Sequence, residues 1–438
     1  MREESATLPV QAMPADGGVD NLDRIVEASI DDYGKYINDS MARLYRFLGL
    51  NTVEAGGKGA IAWDIYGEEY IDCHGCNGVF FHGRQHPRVV NAVKAQLEKM
   101  AISSRILPVR EPAELGKLIA SISPGNLQYT FFGNSGAEAV EGAIKLAKLY
   151  TGRAKVVATN NGFHGKTMGA LSATGRDLYK DPFKPLMGDF THIPFGDSEA
   201  ASEAIDGNTA AVIVEPVQGE GGVNIPPDDF LPRLRELCDA QGALLIFDEV
   251  QTGLGRTGRM FGSEHWGVVP DIMTMAKILG GGVMPIGAFH AKPEIWRVLD
   301  QNPYLHSSTF GGNPLATVAA RAAIETIIDE GLVQLAQEKG EYLLSQLREI
   351  QGEHPEIIKE ARGLGLMTGL EMREDGLGGM MIKALIDRKV LAVHSLNNEK
   401  VIRILPPATI SYELMDRVIG IVREAVSETA GLKASYDI

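Results

Sequence analysis

The sequence predicts an α/β fold: a large domain on a mostly parallel sheet flanked by helices, joined to a smaller α+β domain formed by the N- and C-terminal segments. Three observations carry this expectation. Apolar runs alternate with helix-patterned segments between about residues 129 and 291. Several of those runs are apolar at every position, as strands covered by helices on both faces are. From about residue 330 the texture changes to long amphipathic helices around short strands. A chain of 438 residues is long enough for such a division. The expected parts are an N-terminal segment (1–97), the large domain (98–330) and the C-terminal small domain (331–438).

Taken in order, the polar opening "MREESATLPVQAMPADGG" lacks the apolar core of a signal segment and is expected to be a flexible lead. Residues 51–73 read as short strands separated by glycine turns, and Pro87 opens the helix "PRVVNAVKAQLEKM". Strands are expected at 129–132, 155–159, 210–216, 244–249, 271–276 and 286–291. Helices are expected at 138–150 and 231–242, the second stopping on Gly242. Beyond 330, helices at 331–351, 376–389 and 411–430 enclose strands near "GLMTGLEM", "VLAVHS" and "VIRILPP".

Composition excludes several function classes. A net charge of -15 argues against a nucleic-acid surface, which needs clustered Lys and Arg. No apolar run is long enough to span a membrane. Three cysteines suggest a reducing, cytoplasmic location. Two of them stand in "CHGCNGVFFHGRQH", where Cys73, Cys76, His82 and His86 mimic a zinc pattern. Only five residues separate the pairs, where a zinc finger needs about twelve, so a turn is expected and no metal. "GLGRTG" (253–258) mimics a dinucleotide loop. "DEVQT" separates its first glycine from the preceding strand, no helix is expected to follow, and no acidic residue stands about twenty positions on, so the fingerprint fails. Its glycines are expected to turn the loop away from the strand end, near a subunit interface.

The polar residues at strand ends carry the chemistry. "LLIFDE" finishes on Asp248 and Glu249, and a buried carboxylate is costly unless paired. "DIMTMAK" finishes on Lys277 against "ILGGG". Desolvation there favours the neutral amine, the form that makes Schiff bases. "FFGNSGAEA" brings small residues and Ser135 to a helix start, which is either a phosphate cradle or an ordinary capped turn. Alone, each residue has an ordinary structural reading. Together, a Schiff-base lysine, an acid for a pyridinium nitrogen and a phosphate cradle are what pyridoxal phosphate requires.

Seven motifs then resemble the class III aminotransferases of the fold-type-I pyridoxal phosphate enzymes: "FFGNSGAEAVEGAIKLAK", "GFHGKTMGALSATG", "EPVQGEGGV", "LLIFDEVQTGLGRTGRMF", "PDIMTMAKILGGGVMPIGA", "TFGGNPLA" and "IRILPP". They cover roughly residues 50 to 430, in the family's order. The resemblance implies that Lys277 is the Schiff-base lysine and that Asp248 pairs with the ring nitrogen. It puts Gln251 near the ring oxygen, Phe163 and His164 at the ring, and Ser135, Gly136 and Ala137 at the phosphate. Family members often have Thr where Ala137 stands, so one hydroxyl contact is missing. Glu215 is a weaker candidate for the cofactor's surroundings. Thr309 is implied to reach the phosphate of a neighbouring subunit, hence a homodimer with shared active sites, or a dimer of dimers. Arg403 would grip a substrate carboxylate, and Glu220 would pair with Arg403 when none is bound.

The implied reaction is a ping-pong transamination in which an amine donates to a 2-oxo acid. "GGGVMPIGA", "STFGGNPLA" and "LNNEKVIRILPP" look closest to the diamine-using branch, whereas "CHGCNGVFFHGRQHP" departs from it. The expected donor is a terminal diamine such as putrescine or cadaverine, and the acceptor 2-oxoglutarate or pyruvate. The alternatives are an ω-amino acid donor (ornithine, acetylornithine, 4-aminobutyrate or a β-amino acid) and, further off, a racemase or aminomutase.

Overall fold

The structure, a computed structural model, describes residues 19–436. The expected flexible lead falls largely on residues 1–18, outside the described residues.

Three sheets organise the chain. The first is built from β1 (Glu54–Lys58), β2 (Ile61–Asp64) and β3 (Glu69–Asp72), the short strands expected between 51 and 73. The central sheet has seven strands: β4 (Tyr129–Gly133), β5 (Lys155–Thr159), β6 (Phe190–Ile193), β7 (Thr209–Val214), β8 (Leu244–Asp248), β9 (Ile272–Met275) and β10 (Gly287–Ala291). They lie in the order β4-β10-β9-β8-β7-β5-β6. The pairs from β6 to β9 are parallel; β10 runs against both of its neighbours. The C-terminal part adds β11 (Ile358–Leu364), β12 (Met367–Met372), β13 (Val390–Leu391), β14 (Val393–His394) and β15 (Val401–Ile404). Four of these form the third sheet, in the order β11-β12-β15-β14, while β13 pairs in parallel with β3. The two ends of the chain thus share one sheet.

The continuously apolar strands hide a period of two. On β7 and β8, Ala211, Ile213, Leu244 and Ile246 pack with Val140 and Ile144 of the helix Gly136–Thr151. Their alternates Val212, Val214, Leu245 and Phe247 pack with Leu231 and Leu234 of the helix Phe230–Gln241. Each strand is therefore buried on both faces, and only its carboxyl end can offer polar groups to a ligand.

The structure adds helices that periodicity did not reveal, at Val19–Asp32, Asp39–Phe47, Arg110–Ile122 and Pro314–Asp329. The last is rich in alanine and buried almost all round, so it has no polar stripe to betray a helical period. Its start is nonetheless signalled, with Asn313 as N-cap and Pro314 at the first position. The helix expected from 138 begins at Gly136 because Ser135 Oγ accepts from the Glu138 N–H at 3.2 Å. The "GLGRTG" loop does not turn out to a free surface. Residues 251–258 are all buried, Leu366 N donates to Arg256 O, and a Cβ on Gly365 would lie 2.4 Å from the Thr257 carbonyl carbon.

Candidate active site

At one edge of the central sheet the strands deliver their terminal residues to a cavity of about 540 Å³. β8 ends on Asp248, β9 leads through Ala276 to Lys277, and β4 leads into Ser135, Gly136 and Ala137. Phe163 and His164 follow β5, and Glu215 follows β7. All nine of these residues line the cavity, with Gln251 and Glu220.

Asp248 is fixed on both oxygens. Its Oδ2 lies 2.7 Å from His164 Nδ1; its Oδ1 accepts from Thr274 Oγ1 at 3.0 Å and from the Val250 N–H at 3.1 Å. Burial opposes a charge on His164, but the bond and charge of Asp248 outweigh it and raise the imidazole pKa. The result is a carboxylate with every oxygen bonded and an imidazole drawn toward its charged form. Glu215 shows the contrast. Burial pushes its pKa up to about 7, although it accepts from the Phe163 and Gly219 N–H groups at 2.9 and 3.0 Å.

Lys277 has its pKa lowered, first by burial and also by the charge of Arg403, against the opposing pull of Glu220, Glu215 and Asp248. Its backbone is left-handed, with φ 47°, which is uncommon for a residue with a side chain. Lowering the pKa of a lysine that faces a cavity favours its amine as nucleophile and base.

Across the cavity, Gly136 and Ala137 open the 16-residue helix Gly136–Thr151. The first N–H groups of a helix lack partners within it and favour an anion. The backbone of residue 165 comes so close that a Cβ there would lie 2.8 Å from Ala137 Cβ. Ala137 has no hydroxyl to add to the cradle.

Arg403, on β15, is buried, with only 1% of its surface exposed. Its Nη1 donates to Glu220 Oε1 at 2.6 Å and, at 3.5 Å, to Gln251 Oε1; its Nη2 donates to Asn77 Oδ1 at 3.1 Å. Burial alone would raise the Glu220 pKa, yet Arg403 and Lys277 hold it below the usual range. Glu220 is part of the cavity wall, and Arg403 lies behind it. Gly219 is required for this packing, since a Cβ there would lie 1.5 Å from Gln251 Oε1.

Two expected residues stand apart. Thr309 is not on this cavity. It lines a separate hollow with Ile102 and Phe132, and its carbonyl accepts from Arg105 Nη1 at 3.0 Å. Glu249 serves the loop after β8, accepting from the Gly262 and Ser263 N–H groups and from Thr252 Oγ1. The cysteine–histidine stretch divides. Cys73 is buried, His82 bonds the Ala323 carbonyl at 3.0 Å, and Cys76 faces the cavity with Val79 and Phe80. No group of three or more His, Cys, Asp or Glu suited to a metal occurs among the described residues. Sequence reasoning missed Asn77 and the His164–Asp248 bond. The signal for Asn77 was "GCNG", whose Gly75, Cys76, Asn77 and Gly78 all have positive φ.

The donor set suits pyridoxal phosphate. A lysine amine with a lowered pKa, a fixed carboxylate and a helix N-terminus line one cavity beside Phe163. The family model for class III aminotransferases matches residues 48–426, and the chain belongs to that family. A putrescine aminotransferase from Pectobacterium atrosepticum is 43% identical over 433 residues, covering 94% of this chain and 91% of that protein. The ornithine aminotransferase of Toxoplasma gondii superposes with a TM-score of 0.83 at 34% identity, over 87% of this chain and 91% of that one. A second structure of that enzyme, described as having partial occupancy of PLP at the active site, matches equally well over 88% of this chain. A Bacillus anthracis aminotransferase gives a TM-score of 0.84 at 27% identity, over 92% of this chain and 99% of that one. The chain is a pyridoxal phosphate-dependent transaminase of the α/β type, using an amine donor and a 2-oxo acid. No helix among the described residues is long and apolar enough to cross a membrane.

Proposed function

We propose that this class III aminotransferase moves the terminal amino group of a diamine of the putrescine or cadaverine type to 2-oxoglutarate or pyruvate. The observation that carries the proposal is the buried Arg403–Glu220 pair at 2.6 Å, with the carboxylate toward the cavity and the guanidinium behind it. While the pair is closed, the wall offers a dication a carboxylate and no free positive charge. When Glu220 swings aside, Arg403 offers a planar donor to a 2-oxo acid. One cavity then serves both half-reactions. The 43% identity to a putrescine aminotransferase supports the diamine. The ornithine aminotransferases among the structural relatives favour the second reading, an ω-amino acid donor, at lower identity.

When bound, pyridoxal phosphate supplies an electron sink for the carbon that carries the transferred amine. The chain's own residues do the rest. Gly136 and Ala137 would bind the phosphate through their N–H groups, and Asp248, braced by His164 and Thr274, would hold the proton on the ring nitrogen. Lys277, with its lowered pKa, would take the proton from the substrate carbon and return it on the other side of the exchange. Gln251 and Phe163 would orient the ring. We assign Thr309, off this cavity, to the phosphate of a second copy of the chain, so that the working unit would be a homodimer; the small number of cysteines supports a cytoplasmic location.

A donor panel tests the substrate. Putrescine, cadaverine, ornithine, acetylornithine and 4-aminobutyrate are each supplied with 2-oxoglutarate or pyruvate. The diamines should give the highest kcat/KM; ornithine or 4-aminobutyrate leading by tenfold would establish the second reading instead.

A further inference from the structure

Arg403 is masked by two close acceptors, with Gln251 Oε1 a third at 3.5 Å from Nη1. Glu220 Oε1 takes Nη1 at 2.6 Å and Asn77 Oδ1 takes Nη2 at 3.1 Å, while Nε has no hydrogen-bond partner among the described residues. A carboxylate gripped end-on by a guanidinium uses both Nη atoms. Its two oxygens would therefore fall where Glu220 and Asn77 already stand.

Asn77 is held in that place. Its φ and ψ are 57° and 32°, and Cys76 before it has 52° and 56°. Asparagine enters this left-handed region at less cost than most residues. The Asn77 carbonyl accepts from Gln251 Nε2 at 3.0 Å, and the next carbonyl, of Gly78, accepts from Arg256 Nη2 at 3.2 Å. The turn is thus fastened at the residue whose side chain reaches Arg403 and at the one after it.

We propose that Asn77 is a second latch on Arg403 and sets the enzyme's preference between donors with and without a carboxylate. This rests on the reading of Arg403 as the carboxylate grip. With a diamine in the cavity, Glu220 and Asn77 together satisfy both Nη atoms, and the guanidinium stays covered. A 2-oxo acid or an ω-amino acid has to displace both. Glu220 competes with a full charge and Asn77 with a neutral amide, so Asn77 adds a smaller, tunable penalty against every carboxylate-bearing ligand.

The test uses purified holoenzyme and steady-state kinetics with putrescine and 2-oxoglutarate, with melting curves as a check of folding. Asn77→Gly removes the latch and keeps the backbone, since glycine takes positive φ freely. Asn77→Asp replaces it with a charged one. Asn77→Gly should lower the KM for 2-oxoglutarate about tenfold and leave that for putrescine within about twofold, the scale of one hydrogen bond to a charged group. Asn77→Asp should raise the KM for 2-oxoglutarate by about the same factor. 4-Aminobutyrate should gain as a donor in the first variant and lose in the second. A purely structural role would raise both KM values in both variants. An unchanged or raised KM for 2-oxoglutarate in Asn77→Gly overturns the latch. Arg403→Ala, run alongside, separates the two ideas: if it raises the KM for 2-oxoglutarate selectively, the grip stands whatever Asn77 does. If it acts equally on both substrates, grip and latch fall together.

Discussion

His164 Nδ1 lies 2.7 Å from Asp248 Oδ2, with both side chains buried. Asp248 raises the His164 pKa against the effect of burial, so the folded protein holds the imidazolium more tightly than the unfolded chain does. A raised pKa means that the pair stabilises fully below the unfolded value, about 6.5, and that this contribution is lost as pH rises through the folded value. His164→Gln should therefore melt furthest below the parent near pH 6, with the gap shrinking as pH increases. A gap constant from pH 6 to 9 would show that the pair is not charged.

Lys277 is assigned the proton transfer. Lys277→Ala should keep its fold and lose about two to four orders of magnitude in kcat, the usual worth of a positioned acid–base group. Because burial lowers its pKa, the parent should stay active well below the ordinary lysine range, and activity should fall only when the amine protonates at lower pH. Partial rescue of the alanine variant by methylamine would assign the loss to the missing amine.

Arg403 and Glu220 make opposite demands. Arg403→Ala should raise the KM for 2-oxoglutarate about 10- to 100-fold, a lost charged hydrogen bond or two, and barely move that for putrescine. Glu220→Ala leaves the guanidinium buried without its counter-charge and should cost about 3 kcal/mol of stability, read from denaturant unfolding. An Arg403→Ala enzyme with parallel losses on both substrates would contradict the assigned grip.

Gly219→Ala tests the packing of Gln251. The added Cβ would stand 1.5 Å from Gln251 Oε1, so the glutamine must leave its place and its bond to the Asn77 carbonyl. A stability loss of about 1–3 kcal/mol is expected from overpacking. Cofactor affinity should weaken with it, measured by titrating apoenzyme with pyridoxal phosphate and following the visible absorbance. Unchanged affinity would separate Gln251 from cofactor binding.

Much of this was legible in the sequence, for a physical reason. Strands buried on both faces are apolar throughout, so Asp248 and Lys277 stand out as the polar residues where such runs stop. The helix Pro314–Asp329 was hidden by the same logic, because burial all round erases the stripe that marks a helix. The environment of Arg403 was legible only in part. Resemblance supplied Glu220, but Asn77 comes from a left-handed turn after β3, far off in the chain, and local patterning does not encode such a meeting. The "GLGRTG" loop was read correctly as no nucleotide loop, but its burial was not legible in the glycine pattern. Arg256, at its centre, is held inside by the carbonyls of Gly78, Leu366 and Pro406.

Those three carbonyls come from opposite ends of the chain, and the Asn77–Arg403 bond spans 326 residues. Contacts of such separation form late, because the loop they close must first lose its freedom. A growing polypeptide can complete β8 and β9 and expose Lys277 before Arg403 or Arg256's C-terminal acceptors have been synthesised. Asp248 and Lys277 come earlier in this birth order than Arg403, which belongs to the last tenth of translation.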